Sequence, residues 1–320
     1  MFNNLRELIA TMPDEKACRD YLITERWNGI PICPYCGFDK CYVIEGGKRF
    51  KCASKACYKK FSVTIGTIFE ASNIPLCKWL MAIYICTAHK KGISSYQLAK
   101  DIGISQKSSW FMLHRIRALM KEMDLKPLTG TVEADETYMS RKYRSDFVGL
   151  SPDQIDYNMS NTYNKKGVAL GLAHPESGKV RIKAVDTASK PNMSNNIREN
   201  VEPGSQLHTD EHRFYNALDS EYDRKTIHHS ARQWVKGNVT TNHVENVWSV
   251  MKRGVYGIYH QISYKHMQRY CDEFSYRYNS RKVKDAERFT VSLQNIERRL
   301  TYKVLVNKPG MNDKIPIVWE

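Results

Sequence analysis

Two pairs of cysteines set the first constraint on this chain. Cys33-Pro-Tyr-Cys36 and Cys52-Ala-Ser-Lys-Ala-Cys57 form a C-x2-C and a C-x4-C separated by fifteen residues. Two such knuckles can close four thiolates into a tetrahedron around Zn²⁺, with a β-hairpin between them. Gly37, directly after the first pair, suits the tight turn a knuckle demands. A module this small lacks the core to fold unaided, so metal binding is expected to supply much of its stability. Cys41 lies between the pairs and reads as a bystander that could replace a ligand. Cys18, Cys77, Cys86 and Cys271 fall on apolar helical faces and read as core. Unliganded or redox cysteines are the alternative.

With 320 residues, the chain has room for two or three domains that each bury a core. A hydrophobic content of 42% excludes a disordered chain. Forty-nine Lys and Arg oppose 34 Asp and Glu, a formal net charge of +15. That surplus speaks of partners and not of fold, and it favours a nucleic acid over a basic enzyme without one. Arg6 and Glu7 interrupt the opening apolar residues, so no secretory signal is expected. The longest apolar run, residues 79–88, is about half the length of a membrane span. Nine cysteines in such a chain suggest thiols and metal sites in a reducing cytoplasm, where DNA binding would associate it with the nucleoid.

Residues 1–30 read as short amphipathic helices, with Leu5, Leu8, Ile9 and Met12 at helical spacing and Met12-Pro13-Asp14 as a stop followed by a fresh N-cap. The cysteine module occupies 31–68, and helical patterning resumes over 75–123. Pro127-Leu-Thr-Gly130 punctuates the chain before a strand-rich region at 131–300, which leaves 301–320 as a tail. Strands are expected at 131–139, 167–173, 179–186, 206–209 and 225–228, and helices near 191–200, 241–253 and 263–279. The polar, basic stretch 140–166 resists assignment; a loop of that length is usually functional or mobile.

Within 75–123 the run Gly92 to Arg117 has helix-turn-helix grammar. Ser94 or Ser95 caps a short helix, Gly103 makes a turn, and Ser105 caps the next helix. The second helix of such a pair enters the major groove by its N-terminal residues, here Gln106, Lys107, Ser109 and Trp110, while Phe111, Leu113 and Ile116 would pack inward. Helical bundles that never touch DNA share this pattern.

Three acidic positions carry the chemistry. Val132-Glu-Ala-Asp-Glu alternates as a strand should and puts Glu133 and Asp135 on one face. Asp210 ends the strand-like run Leu207-His-Thr-Asp210, and Glu245 opens an amphipathic helix with Val244, Val247, Trp248 and Met251 inward. Lys252 follows Glu245 by two helical turns, about 10 Å along the same face. Carboxylates that converge can hold Mg²⁺, and two shared ions can activate a water or a 3′-hydroxyl and stabilise the leaving oxygen. Ordinary surface carboxylates are the bland alternative. A histidine-rich zinc or manganese site from His208, Asp210, His212, His228, His229 and His243 is a further one, although no H-E-x-x-H pattern occurs.

The motifs CPYCG with its second cysteine pair, VEADETYM, HTDEHRFY, NHVENVWSVMKRGVYGIYHQIS and HMQRYCDEFSYRYNSR resemble the DDE transposases of bacterial insertion sequences. They look most like the group with an N-terminal zinc ribbon related to Merlin elements. The likeness runs from about residue 15 to 282. It implies an α/β architecture: an RNase H-like catalytic domain, with a mixed five-stranded sheet and flanking helices, preceded by a zinc ribbon and a helix-turn-helix. In that fold the first acid lies on the first strand, the second just after the fourth, and the third on a following helix, matching Asp135, Asp210 and Glu245. Lys252 matches a lysine the family carries seven residues after the third acid, as a phosphate-positioning charge. Some members use Asn as third ligand, and Asn242 stands one turn before Glu245; the carboxylate is the stronger Mg²⁺ ligand. Many relatives carry glycines where this chain has Met139-Ser-Arg-Lys.

The resemblance implies a transposase that binds the terminal inverted repeats of its element, cleaves them and joins 3′ ends to target DNA. Asp135, Asp210 and Glu245 would hold Mg²⁺ (Mn²⁺ as substitute), Lys252 and Arg253 would contact phosphate, and Cys33, Cys36, Cys52 and Cys57 would hold Zn²⁺. Its partner is double-stranded DNA, at element ends and target; no membrane is involved, and at least a dimer holds the two ends. The alternatives are a non-cutting DNA-binding regulator and an RNase H-like nuclease or resolvase without strand transfer.

Overall fold

The computed structural model describes residues 2–122, 125–139, 167–231 and 233–306. They form two compact units, one from the chain up to Met120 together with the stretch from Lys282, the other from Lys121–Arg281. The uncertain sequence stretch 140–166 lies outside the described residues.

The first unit begins with two short helices that start where the sequence offers caps. Asn4 accepts the Glu7 N–H at 3.0 Å ahead of α1 (Leu5–Thr11), and Asp14 accepts the Ala17 N–H at 2.8 Å ahead of α2 (Glu15–Trp27). A three-stranded antiparallel sheet follows, β1 (Cys41–Ile44), β2 (Arg49–Cys52) and β3 (Lys60–Phe61), with β1 and β2 forming the hairpin between the cysteine pairs. Trp27, Phe50 and Phe61, in mutual ring contact, form an aromatic centre here. The apolar run at 79–88 lies in α3 (Leu76–Ala88), which is buried on nearly every side. Among the described residues no helix is long and apolar enough to cross a membrane.

Ser94 and Ser105 cap α4 (Ser95–Ile102) and α5 (Gln106–Leu119), and Gly103 joins them with φ +62°, a conformation that suits glycine. The unit is completed by α9 (Asp285–Leu293), whose Phe289 contacts Phe2 and Tyr84, and by α10 (Tyr302–Val306). Arg115, buried in α5, donates to the carbonyls of Ile68, Glu70 and Leu300 and so ties the returning chain in place. The region 131–300, read from sequence as one domain, therefore gives its last residues to the first unit.

The second unit is a five-stranded mixed sheet in the order β6-β5-β4-β7-β8. Its strands are β4 (Thr131–Met139), β5 (Gly167–His174), β6 (Lys179–Val185), β7 (Gln206–Asp210) and β8 (Asp223–Ile227). The first three form an antiparallel meander, whereas β7 joins β4 and β8 joins β7 in parallel. Alternating residues feed two cores. Val132, Ala134, Leu170 and Leu207 pack with Met193 and Ile197 of α6 (Lys190–Asn200) and with Tyr215. On the other face Ala169, Ala173 and Ile182 pack with Val244, Trp248 and Met251 of α7 (Asn242–Gly254) and Phe274 of α8 (Met267–Asn279). A small hairpin, β9 (Val235–Lys236) and β10 (Val239–Thr240), precedes α7.

Candidate active site and metal centre

Asp135 shares its strand face with Glu133, and both look toward α7, because side chains alternate along β4. Thr131, Val132 and Glu133 pair in parallel with Gln206, Leu207 and His208. Two more steps of that register set Asp135 opposite Asp210, on strands normally ~4.8 Å apart. The paired ladder ends at Glu133–His208, so the strands part at the level of the two acids.

The electrostatics there are unfavourable to bare anions. Burial, then the neighbouring Glu136 and Asp210 charges, push the Asp135 carboxyl up to about 7, against a lowering contribution from the Trp248 N–H. Burial and Asp210 also raise Glu136, to about 6, although the fully buried Tyr215 hydroxyl donates to it at 2.9 Å. Among the described residues no Lys or Arg ion-pairs with Asp135 or Asp210. Crowded carboxylates without a cationic partner suit a divalent ion, which binds through oxygen.

Glu245 sits in the first turn of α7, where its Oε1 accepts the Thr241 hydroxyl at 2.8 Å and lies 3.5 Å from His229 Nε2. The three acids do not gather as closely as the cysteines. Among the described residues, only the cysteine set brings three or more ligand atoms within 4.8 Å of one another. Asn242, the rival third ligand, is exposed, with its backbone N–H on the Thr240 hydroxyl. In the last turn of α7, Lys252 is half-buried and Arg253 exposed.

Three contacts seat the helix that carries Glu245. Glu133, fully buried, accepts the backbone N–H groups of His243 at 2.8 Å and Val244 at 3.2 Å, and its other oxygen meets His243 Nδ1 at 2.7 Å. A carboxylate there satisfies donors that an α-helix leaves open at its start and complements the dipole. The Trp248 indole N–H donates to Asp135 at 2.9 Å. Gly171 of β5, paired with Asp135, makes room for the helix: a Cβ there would stand 2.6 Å from Trp248 and Val244 atoms. Sequence reading placed Glu133 on the correct face without assigning it this task, and Trp248 read only as core. At the end of β7, Glu211 accepts the His229 and Ser230 N–H groups at 2.8 and 2.9 Å, which holds its carboxyl down at about 2.

In the ribbon, the Cys33–Cys57 and Cys36–Cys52 sulfurs are 3.8 and 3.6 Å apart. A tetrahedral ion with ~2.3 Å Zn–S bonds has ligand edges of ~3.8 Å, so the four thiols fit zinc. Gly37 turns with φ +72° and returns its N–H to the Cys33 carbonyl. Cys41 stands outside the group, directed to the Phe38 carbonyl.

The DNA-facing expectation for α5 needs one correction. Ser109 is fully buried, with no partner for its hydroxyl among the described residues, and cannot reach a base; it lies in the helical core with Met112, Leu113 and Ile116. Lys107 is exposed, and Gln106 is half-buried with its amide on the Ser95 hydroxyl. Phe111 is half-buried under the Arg115 guanidinium and against Tyr302. Among the described residues the histidines do not assemble into a second metal site: His208 bonds Gln206, His243 bonds Glu133 and His229 lies by Glu245.

Residues 127–279 match the family described as ISXO2-like transposase domain, and residues 13–60 match the transposase zinc-ribbon domain. A protein in transposable element ISH50 of Halobacterium salinarum is 26% identical over 77% of this chain and 84% of its own length. A transposase-like protein of Haemophilus influenzae is 33% identical over 28% of this chain and 71% of its own length. The chain belongs to the ISXO2-like transposases with a zinc ribbon. The match to the transposase domain spans Asp135, Asp210, Glu245 and Lys252, and the ribbon match spans all four zinc-compatible cysteines. As a DDE transposase the chain is an enzyme whose partner is DNA, and its domain type implies a divalent metal.

Proposed function

We propose that this transposase binds the terminal inverted repeats of its element, cleaves them and joins the 3′ ends to target DNA, with Asp135, Asp210 and Glu245 as its metal ligands. The observation that carries the reading is the register neighbourhood of Asp135 and Asp210, both half-buried, with no Lys or Arg ion-paired to either among the described residues. Mg²⁺, or Mn²⁺ in its place, would supply activation of a hydroxyl nucleophile and charge neutralisation at the leaving oxygen. Glu245 would turn from Thr241 toward the two aspartates, a change of side-chain rotamer on a helix already fixed to β4. Lys252 and Arg253, on the last turn of that helix, would hold a flanking phosphate.

The strand order β6-β5-β4-β7-β8, antiparallel then parallel, supports an RNase H-like catalytic domain spanning the second unit. The capped pair α4–α5, turned at Gly103, supports a helix-turn-helix with Gln106 and Lys107 toward DNA. End recognition would fall to this pair and the ribbon. The two ends are held by at least a dimer, acting on DNA of the cytoplasmic nucleoid.

The deciding experiment incubates the chain and Mg²⁺ with labelled duplex carrying the element's inverted repeats. Cleavage with joined product is expected. Cleavage alone supports a nuclease or resolvase, and retention without cleavage a regulator. Asp135→Ala, Asp210→Ala and Glu245→Ala should each abolish cleavage while end binding persists. Loss in Asn242→Ala with activity surviving in Glu245→Ala reverses the third-ligand assignment.

A further inference from the structure

Two thiols outside the ribbon meet more closely than any two inside it. Cys18 lies near the start of α2 and Cys77 near the start of α3, 59 positions apart in sequence, yet their sulfurs are 3.0 Å from one another. The ribbon's sulfur pairs stand at 3.6 and 3.8 Å, close to the edge of a tetrahedron around zinc. A 3.0 Å pair is too tight to share such an ion, and among the described residues no third ligand joins it. A disulfide is ~2.05 Å long, so a side-chain rotation moving the sulfurs by ~1 Å turns this contact into a bond.

The surroundings hold the pair in place. Pro75, at the cap position of α3, offers no side-chain acceptor, and Glu15 of α2 instead accepts the Cys77 N–H at 3.1 Å. The two helix starts are thus tied together beside the sulfur contact. Cys18 is buried, whereas Cys77 is half-buried and within reach of a small reagent. Burial pushes both thiols up, so the pair rests protonated; the Cys18 S–H donates to the Cys77 sulfur and lowers Cys77 against that trend. Cys77 is therefore the better nucleophile of the two. All four ribbon cysteines fall between Cys18 and Cys77 in sequence.

We infer that Cys18 and Cys77 form a redox lock, which a peroxide closes to a disulfide that fastens α2 to α3 around the ribbon. The Cys77 sulfur attacks one peroxide oxygen and the O–O bond breaks, leaving a sulfenic acid on Cys77 and releasing water that carries the thiol proton. The Cys18 sulfur then displaces the hydroxyl: the S–S bond forms, the S–O bond breaks, and the Cys18 proton leaves with the hydroxyl as a second water. The two sulfurs give up one electron each, and the peroxide takes both. The closed loop contains the whole ribbon, so the cross-link restrains the chain most when zinc is absent and the ribbon has no other tie. The lock is independent of where the catalytic metal binds.

The test treats the zinc-loaded full chain with hydrogen peroxide and maps disulfides by peptide mass without reduction. A linked pair of peptides carrying Cys18 and Cys77 is expected, and dithiothreitol should separate it. After complete zinc chelation, the oxidised chain should melt roughly 5–10 °C above the reduced one. Cys18→Ser and Cys77→Ser should each remove that gap, whereas Cys86→Ser, a buried thiol of the same helix outside the pair, should keep it. If a serine variant fails to fold, the wild-type comparison with and without dithiothreitol decides alone. Cys18 and Cys77 that both remain open to alkylation after the ribbon cysteines have been oxidised overturn the inference, as does a linked pair with no rise in melting temperature.

Discussion

The Trp248 indole N–H donates to a carboxylate oxygen of Asp135 at 2.9 Å, across 113 residues of sequence. This single contact joins the helix bearing Glu245 to the strand bearing the first acid. It also gives the half-buried Asp135 a neutral side-chain donor in a neighbourhood that holds the Glu136 and Asp210 charges.

Asp135 should make the metal-free protein less stable as pH rises. Its folded carboxyl titrates near 7, against about 3.9 in an unfolded chain, so the native state holds the extra proton between those values. Stability from this group is therefore greatest below pH ~4, falls as pH rises toward ~7, and is level above. Asp135→Asn keeps an oxygen for Trp248 and removes the titration. It should be more stable than wild type at pH 8 by an amount on the order of 4 kcal/mol, and match it near pH 4. Thermal melts across that range check this; parallel profiles for the two proteins would refute it. Added Mg²⁺ should raise the melting temperature of wild type more than that of the variant.

Removing the Glu133 carboxylate should unseat α7. In Glu133→Ala two backbone N–H groups at the start of the helix lose their buried acceptor and the exposed His243 ring loses its partner, a cost of about 3 kcal/mol. Glu133→Gln keeps one acceptor oxygen and should lose less than half as much. Urea unfolding followed by Trp fluorescence reads both. Equal stability of Glu133→Ala and wild type would show that the clamp contributes nothing.

Filling Gly171 should separate α7 from the sheet. A β-carbon added there would stand 2.6 Å from Trp248 and Val244 atoms, so Gly171→Val should force the helix outward at a cost of roughly 1–3 kcal/mol. Because the shift falls on the Trp248–Asp135 contact, cleavage should drop by more than stability alone explains. Activity at a temperature where the variant remains fully folded distinguishes the two, and full activity there would contradict the packing argument.

Zinc removal should act on the ribbon and leave the second unit folded. Chelation or Cys52→Ser is expected to unfold the ribbon, whose aromatic centre is Trp27, Phe50 and Phe61. End affinity should fall at least tenfold in a gel-shift titration at fixed salt, since phosphate contacts make binding strongly salt-dependent. Unchanged affinity after complete zinc loss would remove the ribbon from end recognition.

The sequence by itself determined the features whose partners lie close along the chain. Ligand spacing located a four-cysteine group because a knuckle is closed by residues three to five apart. Caps at Asn4, Asp14, Ser94 and Ser105, together with two- and 3.6-residue periodicity, located helices and strands because those rules are local. Periodicity shows that α5 has an inner face but not how wide it is, so it assigns Ser109 to the DNA side although the fold buries it. Only the tertiary structure decided that Glu133 caps a helix 110 residues away and that Gly171 is the floor beneath Trp248. It alone decided that residues from Lys282 pack with the N-terminal unit and that His229 links Glu211 to Glu245. These are contacts between surfaces that meet after folding, and no spacing along a chain encodes which surfaces will meet.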